Sequence, residues 1–317
     1  MKKIKAWLLF IPKEIIKFVT YYPCTYISRY IDYFHYKLLT CIEFPIFTIN
    51  PASGVIGNKC YGNLWAVRNA CGHEFHSNCM IEHGLYFGEF VIETECLDNS
   101  INTIYTFSEY RKNAILKWFK GKLDKNIITV GPYILYANHF KSEIELASIK
   151  KKMGKVLLVF PSHSSPGEVT EYNLAEFLKE VDRVAQYFDS VLVSLYWLDV
   201  RRKYDKPYIK RGYKVVCSGI RSDRWFLSRQ KDLFWLADVS MSNDIGTHIG
   251  YSIAMGVPHY LYKQKIKLIS NAAEYSFDKC NQNRLREYNE MIESFGSLSF
   301  SITDEQISVV KKYWGQW

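Results

Sequence analysis

Hydrophobic positions fall into short unbroken runs separated by stretches with helical spacing. In Lys155–Phe160 five apolar residues follow one another without alternation, the pattern of a strand covered on both faces. Val191–Trp197 and Tyr213–Cys217 repeat that pattern, and Val239–Ser242 and His259–Tyr262 are shorter versions. Between them, Leu174–Phe188, Phe226–Ala237 and Thr247–Met255 read as helices, the last closed by Gly256 and Pro258. Upstream, Asn102–Phe107 and Ile127–Val130 read as strands, the second stopped by Gly131-Pro132. A helix capped by Ser108 runs between them to about Lys120, and a basic helix over Ser142–Lys155 links the two halves. Strands alternating with helices predict parallel sheets with crossover helices. The expectation is an α/β chain of two Rossmann-like domains, 44–150 and 151–317, with the last helix crossing back.

Composition adds to this picture mainly at the N-terminus. A length of 317 residues suits about two domains, and 48% apolar with 23% charged residues excludes disordered and low-complexity classes. The formal charge is +9, and residues 1–40 hold seven Lys and Arg against Glu14 and Asp32, which is +5 of it. The same stretch has ten aromatic residues. Lys beside Trp and Tyr is the composition of a bilayer interface, so residues 1–43 read as a basic amphipathic segment. Packing on the protein's own core is the alternative. The apolar run Ala6–Pro12 is far below the ~20 residues of a membrane span and lacks a signal-peptide cleavage site. The expected location is cytoplasmic, peripheral on the inner face of the membrane. No nucleic-acid motif appears.

Eight cysteines without a regular framework fit that compartment. Cys71, His73, His76 and Cys79 lie within nine residues, too tightly spaced for the facing turns of a usual zinc site. They read as a loop with ordinary buried cysteines. No Asp-x-Asp occurs, so no metal is expected.

The chemistry concentrates in three loops. In Ala237–Pro258 a strand ends in small polar residues and a Gly-Thr pair opens a helix. The first amides of a helix lack internal partners and carry the positive dipole end, so Asn243–Thr247 can cradle a phosphate. Ser242, Asn243, Gly246, Thr247, His248 and Tyr251 are the candidates there, although any strand–helix turn uses Gly and Thr to turn and cap. Pro161–Gly167 follows the first strand of the second half, and ligands of open parallel sheets bind beyond the carboxyl ends of strands. His163, Ser164 and Ser165 can donate to a phosphate there. In the first half, Glu82 and His83 are candidate acid–base residues, with His83 preferred because adjacent side chains point apart. Asp223 either serves the site or caps the helix that follows it.

Ser242-Asn-x-x-Gly-Thr-His-Ile-Gly-Tyr251, with its downstream Gly-x-Pro, resembles the donor-binding loop of GT-B glycosyltransferases. Together with Phe160–Ser165, Leu195–Asp199 and Ser218–Asp223 it is similar to proteins encoded with O-antigen and capsule assembly enzymes. The likeness covers about residues 80–260. The resemblance implies two domains facing a cleft. It also implies a metal-independent enzyme moving a sugar from a nucleotide-sugar donor to a lipid-linked or polysaccharide acceptor. His163, Ser164 and Ser165 would face the cleft, and Gly219 and Asp223 would contact the nucleotide. His83 would sit at the base position, as in teichoic-acid glycerophosphotransferases. The helix after the loop offers His248, Tyr251 and Ser252 where many GT-B enzymes place a ribose-binding Glu. A sugar-nucleotide epimerase, a polyol-phosphate transferase and a non-catalytic assembly scaffold are the alternatives.

Overall fold

The computed structural model describes residues 23–42, 58, 60–270 and 285–317. Residues 1–22 of the basic segment, and 43–57 at the expected domain start, lie outside the described residues. The chain is a mixed α/β protein with two parallel sheets and a small antiparallel ribbon.

The first sheet has three strands in sequential order: β1 (Cys79–Ile81), β2 (Thr103–Thr106) and β3 (Asn126–Thr129). Both pairings are parallel, with Ile81 opposite Tyr105 and Tyr105 opposite Ile128. Before it come helices α1 (Tyr36–Cys41) and α2 (Asn63–Cys71), and after β2 comes α3 (Glu109–Trp118). Ser108 caps α3 as its sequence position suggests, accepting from the Arg111 amide. The crossing into the second half is α4 (Glu143–Met153), begun by a Ser142–Glu145 capping box and closed by Lys150, Lys151 and Lys152.

The second sheet holds β4 (Val156–Phe160), β6 (Ser190–Ser194), β7 (Lys214–Val216), β8 (Val239–Ser242) and β9 (His259–Leu261). Its order is β7-β6-β4-β8-β9, all parallel. The first strand therefore lies in the middle, and the winding reverses between β4 and β8. That reversal opens a crevice at the carboxyl ends of these two strands. Every residue of β4 is buried, which accounts for its unbroken apolar run. The intervening helices are α5 (Leu174–Ala185), α6 (Trp197–Arg201), α7 (Phe226–Leu236) and α8 (Thr247–Ala254). Helix α5 buries Phe177, Leu178, Val181 and Val184 along one stripe.

The strand expected over Val191–Trp197 stops at Ser194, and Trp197 opens α6 instead. The ribbon of β5 (Glu168–Glu171) with β10 (Lys267–Ser270) has no clear periodic signal, being four residues long on each side. The chain ends in α9 (Leu285–Phe295) and α10 (Asp304–Trp314).

The two sheets share one core. A single buried cluster joins Ile81, Tyr105 and Phe107 of the first half to Leu158, Phe160 and Val216 of the second. Trp314 of α10 belongs to it, and the Ser108 hydroxyl donates to the Tyr313 carbonyl. Trp314 presses on Gly250 of α8 so closely that a Cβ there would lie 2.1 Å from the indole. Helix α7 grips the crossing segment: Lys231 Nζ donates to the Leu135 and Ala137 carbonyls, and Asp232 accepts from His139, Phe140 and Lys141. Among the described residues no helix is long and apolar enough to cross a membrane.

Candidate active site

A cavity of about 250 Å³ lies where the carboxyl ends of both sheets converge. From the second half it receives Phe160, Pro161 and His163 after β4, and Leu195 and Tyr196 after β6. Ser218 enters after β7, and Gly246, Thr247, His248 and Tyr251 after β8. The start of α7 adds Phe226, Leu227 and Gln230. From the first half come Tyr61, Asn63, His83 and Gly84. The crevice at the reversal between β4 and β8 is thus closed from above by the loop after β1. Among the described residues, none of the side chains lining it is Asp, Glu, Lys or Arg.

The phosphate-cradle turn is built without a side-chain cap. Gly246 is the N-cap of α8 and is extended, with φ −161°. Its backbone passes tightly over the His248 ring, 2.9 Å from where a Cβ would stand. Thr247 Oγ1 accepts from the Leu85 amide at 3.2 Å, which ties the turn to the first half. The Thr247 carbonyl accepts from Trp314 Nε1 at 3.2 Å, so α10 buttresses the same turn.

Three histidines, His83, His163 and His248, face the cavity. His248 stacks on Phe160 at 5.0 Å, and burial pushes its pKa down to about 3, so it is neutral. Its Nε2 is buried without a partner. His83 contacts the Tyr86 hydroxyl through Nε2 at 3.1 Å, while its Nδ1 is also buried and unpartnered. Burial lowers its pKa; Glu82 opposes that and Arg221 adds to it. The result is a neutral imidazole, able to take up a proton. His163 Nδ1 donates to the Ser164 carbonyl at 3.0 Å, leaving Nε2 as its other face. The Ser218 hydroxyl is a third buried polar atom at the cavity without a partner.

Of the residues singled out from the sequence, His83, His163, Gly246, Thr247, His248 and Tyr251 meet at this cavity. The others support it from behind. Glu82 is not at the cavity: it is 1% exposed and accepts from Arg111 through both carboxylate oxygens, at 2.7 and 3.2 Å. Arg111 also donates to the Tyr86, Gly88 and Phe90 carbonyls, so the pair fixes the loop that carries Tyr86. Asp223 is likewise spent in an ion pair with fully buried Arg229. Gly219, at φ +109°, is needed because a Cβ would strike Asp223 and Arg229 at 2.9 and 3.1 Å.

Ser164 holds its loop, donating its amide to Asp199 at 3.2 Å and accepting from the Thr170 amide. Ser165 donates to Glu168. Asn243 accepts from the Ser162 amide at 2.6 Å and donates to Gln264, joining the loops after β4 and β8. Ser242 contacts His259 Nε2 at 3.0 Å and donates to the Asp244 carbonyl. His259 also meets Ser240 at 2.6 Å, so a buried polar network underlies the cradle. Tyr61 and Gln230 were not legible as site residues, and Tyr196 and Ser218 lay in segments of the resemblance without being singled out. Only Ser218, just after a strand, stood where that position could have been read.

Among the described residues no group of three or more His, Cys, Asp or Glu is arranged to hold a metal. Cys79 is buried in β1, where burial raises its thiol pKa to about 12.

No family model and no curated protein matches the chain. Solved structures similar to it include UDP-GlcNAc 2-epimerase from Neisseria meningitidis bound to UDP-GlcNAc, at 14% identity and TM-score 0.40. That alignment covers 87% of this chain and 85% of the other. Anabaena Alr3699/HepE in complex with UDP aligns at 13% identity and TM-score 0.35, over 74% and 68% of the two chains. The pneumococcal O-GlcNAc transferase GtfA in complex with UDP and GlcNAc aligns at 8% and 0.36, over 75% and 49%. Likenesses this distant carry no weight for function.

Proposed function

We propose that the protein is a metal-independent glycosyltransferase of GT-B type, using a nucleotide-sugar donor and a lipid-linked or polysaccharide acceptor in surface-polysaccharide synthesis. One observation carries this reading: an uncapped helix N-terminus at the sheet reversal faces, across the cavity, a neutral histidine from the other half. The amides of α8 and the Thr247 hydroxyl stabilise the leaving diphosphate. His83 takes the proton of the acceptor hydroxyl as its oxygen bonds to the anomeric carbon. The bond from that carbon to the phosphate oxygen breaks, and the nucleoside diphosphate leaves with the electron pair. Among the described residues the lining offers amides, hydroxyls and imidazoles, which supports stabilisation by fixed dipoles. The basic aromatic N-terminal segment supports attachment to an anionic membrane surface, beside a lipid-linked acceptor.

A thermal-shift screen of the full chain against nucleoside diphosphates and their sugar conjugates, with and without EDTA, tests the reading. A ligand at a hundred times its Kd adds about 2.7 kcal/mol, a readable shift. One nucleotide series stabilising the chain regardless of EDTA is expected. Stabilisation abolished by EDTA would overturn metal independence, and no stabilisation by any nucleotide would overturn donor binding.

A further inference from the structure

We infer that residues 26–38 form a membrane-docking face, clasped to helix α7 and to the loop after β7. This rests on the surface attachment proposed above and names the side chains responsible. The inward side of the segment is bolted down by a buried ion pair. Arg229 donates to the Ser28 carbonyl at 2.5 Å, the Ser28 hydroxyl at 2.7 Å, the Ile31 carbonyl at 3.1 Å and Asp223 at 2.7 Å. Asp223 accepts in turn from the Ser28 hydroxyl at 2.5 Å. Trp225 Nε1 donates to the Thr25 carbonyl, the Cys217 amide to the Tyr33 carbonyl, and Arg201 to the Thr40 carbonyl. Thr25, Ser28, Ile31, Tyr33 and Leu39 are accordingly buried.

The outward side is apolar where a soluble surface would be polar. Tyr26 is 65% exposed, Ile27 53%, Tyr30 68% and Leu38 53%, with Arg29 and Lys37 exposed among them. Tyrosines with a wet tip and an apolar ring, interleaved with cations, match the boundary of an anionic bilayer. The chain leading into the segment continues the same chemistry, with Lys2, Lys3, Lys5, Lys13 and Lys17 among Trp7, Phe10 and Phe18. The clasp has a consequence for catalysis. Arg229 also donates to the carbonyl of Ser218, which lines the cavity, so the face is joined to the cavity wall by one side chain.

The test is co-sedimentation of the full chain with phosphatidylglycerol-containing vesicles, against vesicles of phosphatidylcholine alone. Wild type should bind the anionic vesicles, and Tyr26→Ser/Ile27→Ser/Tyr30→Ser/Leu38→Ser should lose about tenfold or more of that partition with an unchanged melting temperature. If the fourfold variant does not fold, Tyr26→Ser/Ile27→Ser is measured instead, with a smaller loss expected in the same direction. A wild type that ignores anionic vesicles overturns both the face and the attachment reading, leaving donor binding to be judged by the nucleotide screen. Wild-type binding that survives in the variant overturns the face alone and assigns attachment to residues 1–22. A variant that turns a dimer into a monomer overturns the lipid in favour of a second copy.

Discussion

Glu82 and Arg111 form a pair whose removal separates a structural from a catalytic role. Glu82→Gln keeps the shape and the hydrogen bond from Thr106, at 2.5 Å, but removes the charge opposite a guanidinium that is 0% exposed. Breaking a buried pair from one side costs about 3–5 kcal/mol, because the remaining charge is neither solvated nor paired. At about 2–4 °C per kcal/mol for a chain of this order, the melting temperature should fall by roughly 6–20 °C. Arg111→Met should cost at least as much, since it strands the Glu82 carboxylate and also frees the carbonyls of Tyr86, Gly88 and Phe90. Replacing both, as Glu82→Gln/Arg111→Met, removes both charges, so its loss should be well below the sum of the single losses. Urea unfolding of the four proteins gives the coupling directly. Wild-type stability in Glu82→Gln, with turnover lost, would refute this reasoning and make Glu82 the catalytic base.

Four further outcomes follow from the same geometry. Gly250→Ala should destabilise by about 1–3 kcal/mol through overpacking against Trp314, despite the better helix propensity of Ala, and should weaken nucleotide binding because Trp314 holds the Thr247 carbonyl. Denaturant titration and a nucleotide Kd check it, and an unchanged pair of values would sink it. Thr247→Val leaves the Leu85 amide without its acceptor and should raise the donor KM more than it alters folding, read by initial rates and melting temperature. His83→Asn should abolish transfer while leaving donor affinity within about threefold, a split that calorimetry and turnover resolve. Burial lowers the pKa of His83, His248 and His259 from 6.5, so the unfolded chain binds more protons just below that value. Stability should be flat above about pH 7 and fall as pH drops through 6.5, and His259→Gln should flatten that slope in melts across pH.

Strand and helix order was legible over most of the second half because β4, β6 and α5 announce themselves by period. The β5–β10 ribbon was not, since four-residue edge strands carry too little pattern. The same limit applied to the site. His83, His163 and the Gly246–Tyr251 turn could be read because they follow strands, where a parallel sheet must open. Tyr61 could not: it precedes α2, and its backbone lies in the left-handed region with φ 59°, a conformation no composition signal marks for tyrosine. Glu82 and Asp223 could not be placed from the sequence for a common reason. A carboxylate beside a functional loop looks the same in sequence whether it faces the ligand or an arginine 29 or 6 residues away.

That last ambiguity explains how the site is built. Four carboxylates around the site are spent internally: Glu82 on Arg111, Asp223 on Arg229, Asp244 on Lys263, and Asp199 on the Ser164 amide. The cavity itself is left with imidazoles, hydroxyls, amides and aromatic faces, with His83 and His248 both held neutral by burial. On the proposed reading, a diphosphate entering it would meet dipoles held rigidly by the surrounding pairs, so that little reorganisation would be needed as charge develops on the leaving group. Affinity for such a ligand should then change little between low and moderate salt, unlike the proposed attachment through the face at 26–38, where exposed Arg29 and Lys37 are screened over about 10 Å at 0.1 M. Measuring nucleotide affinity and vesicle binding across the same salt series separates the two. If both fell together with salt, a mobile cation and not the fixed turn would be holding the phosphate.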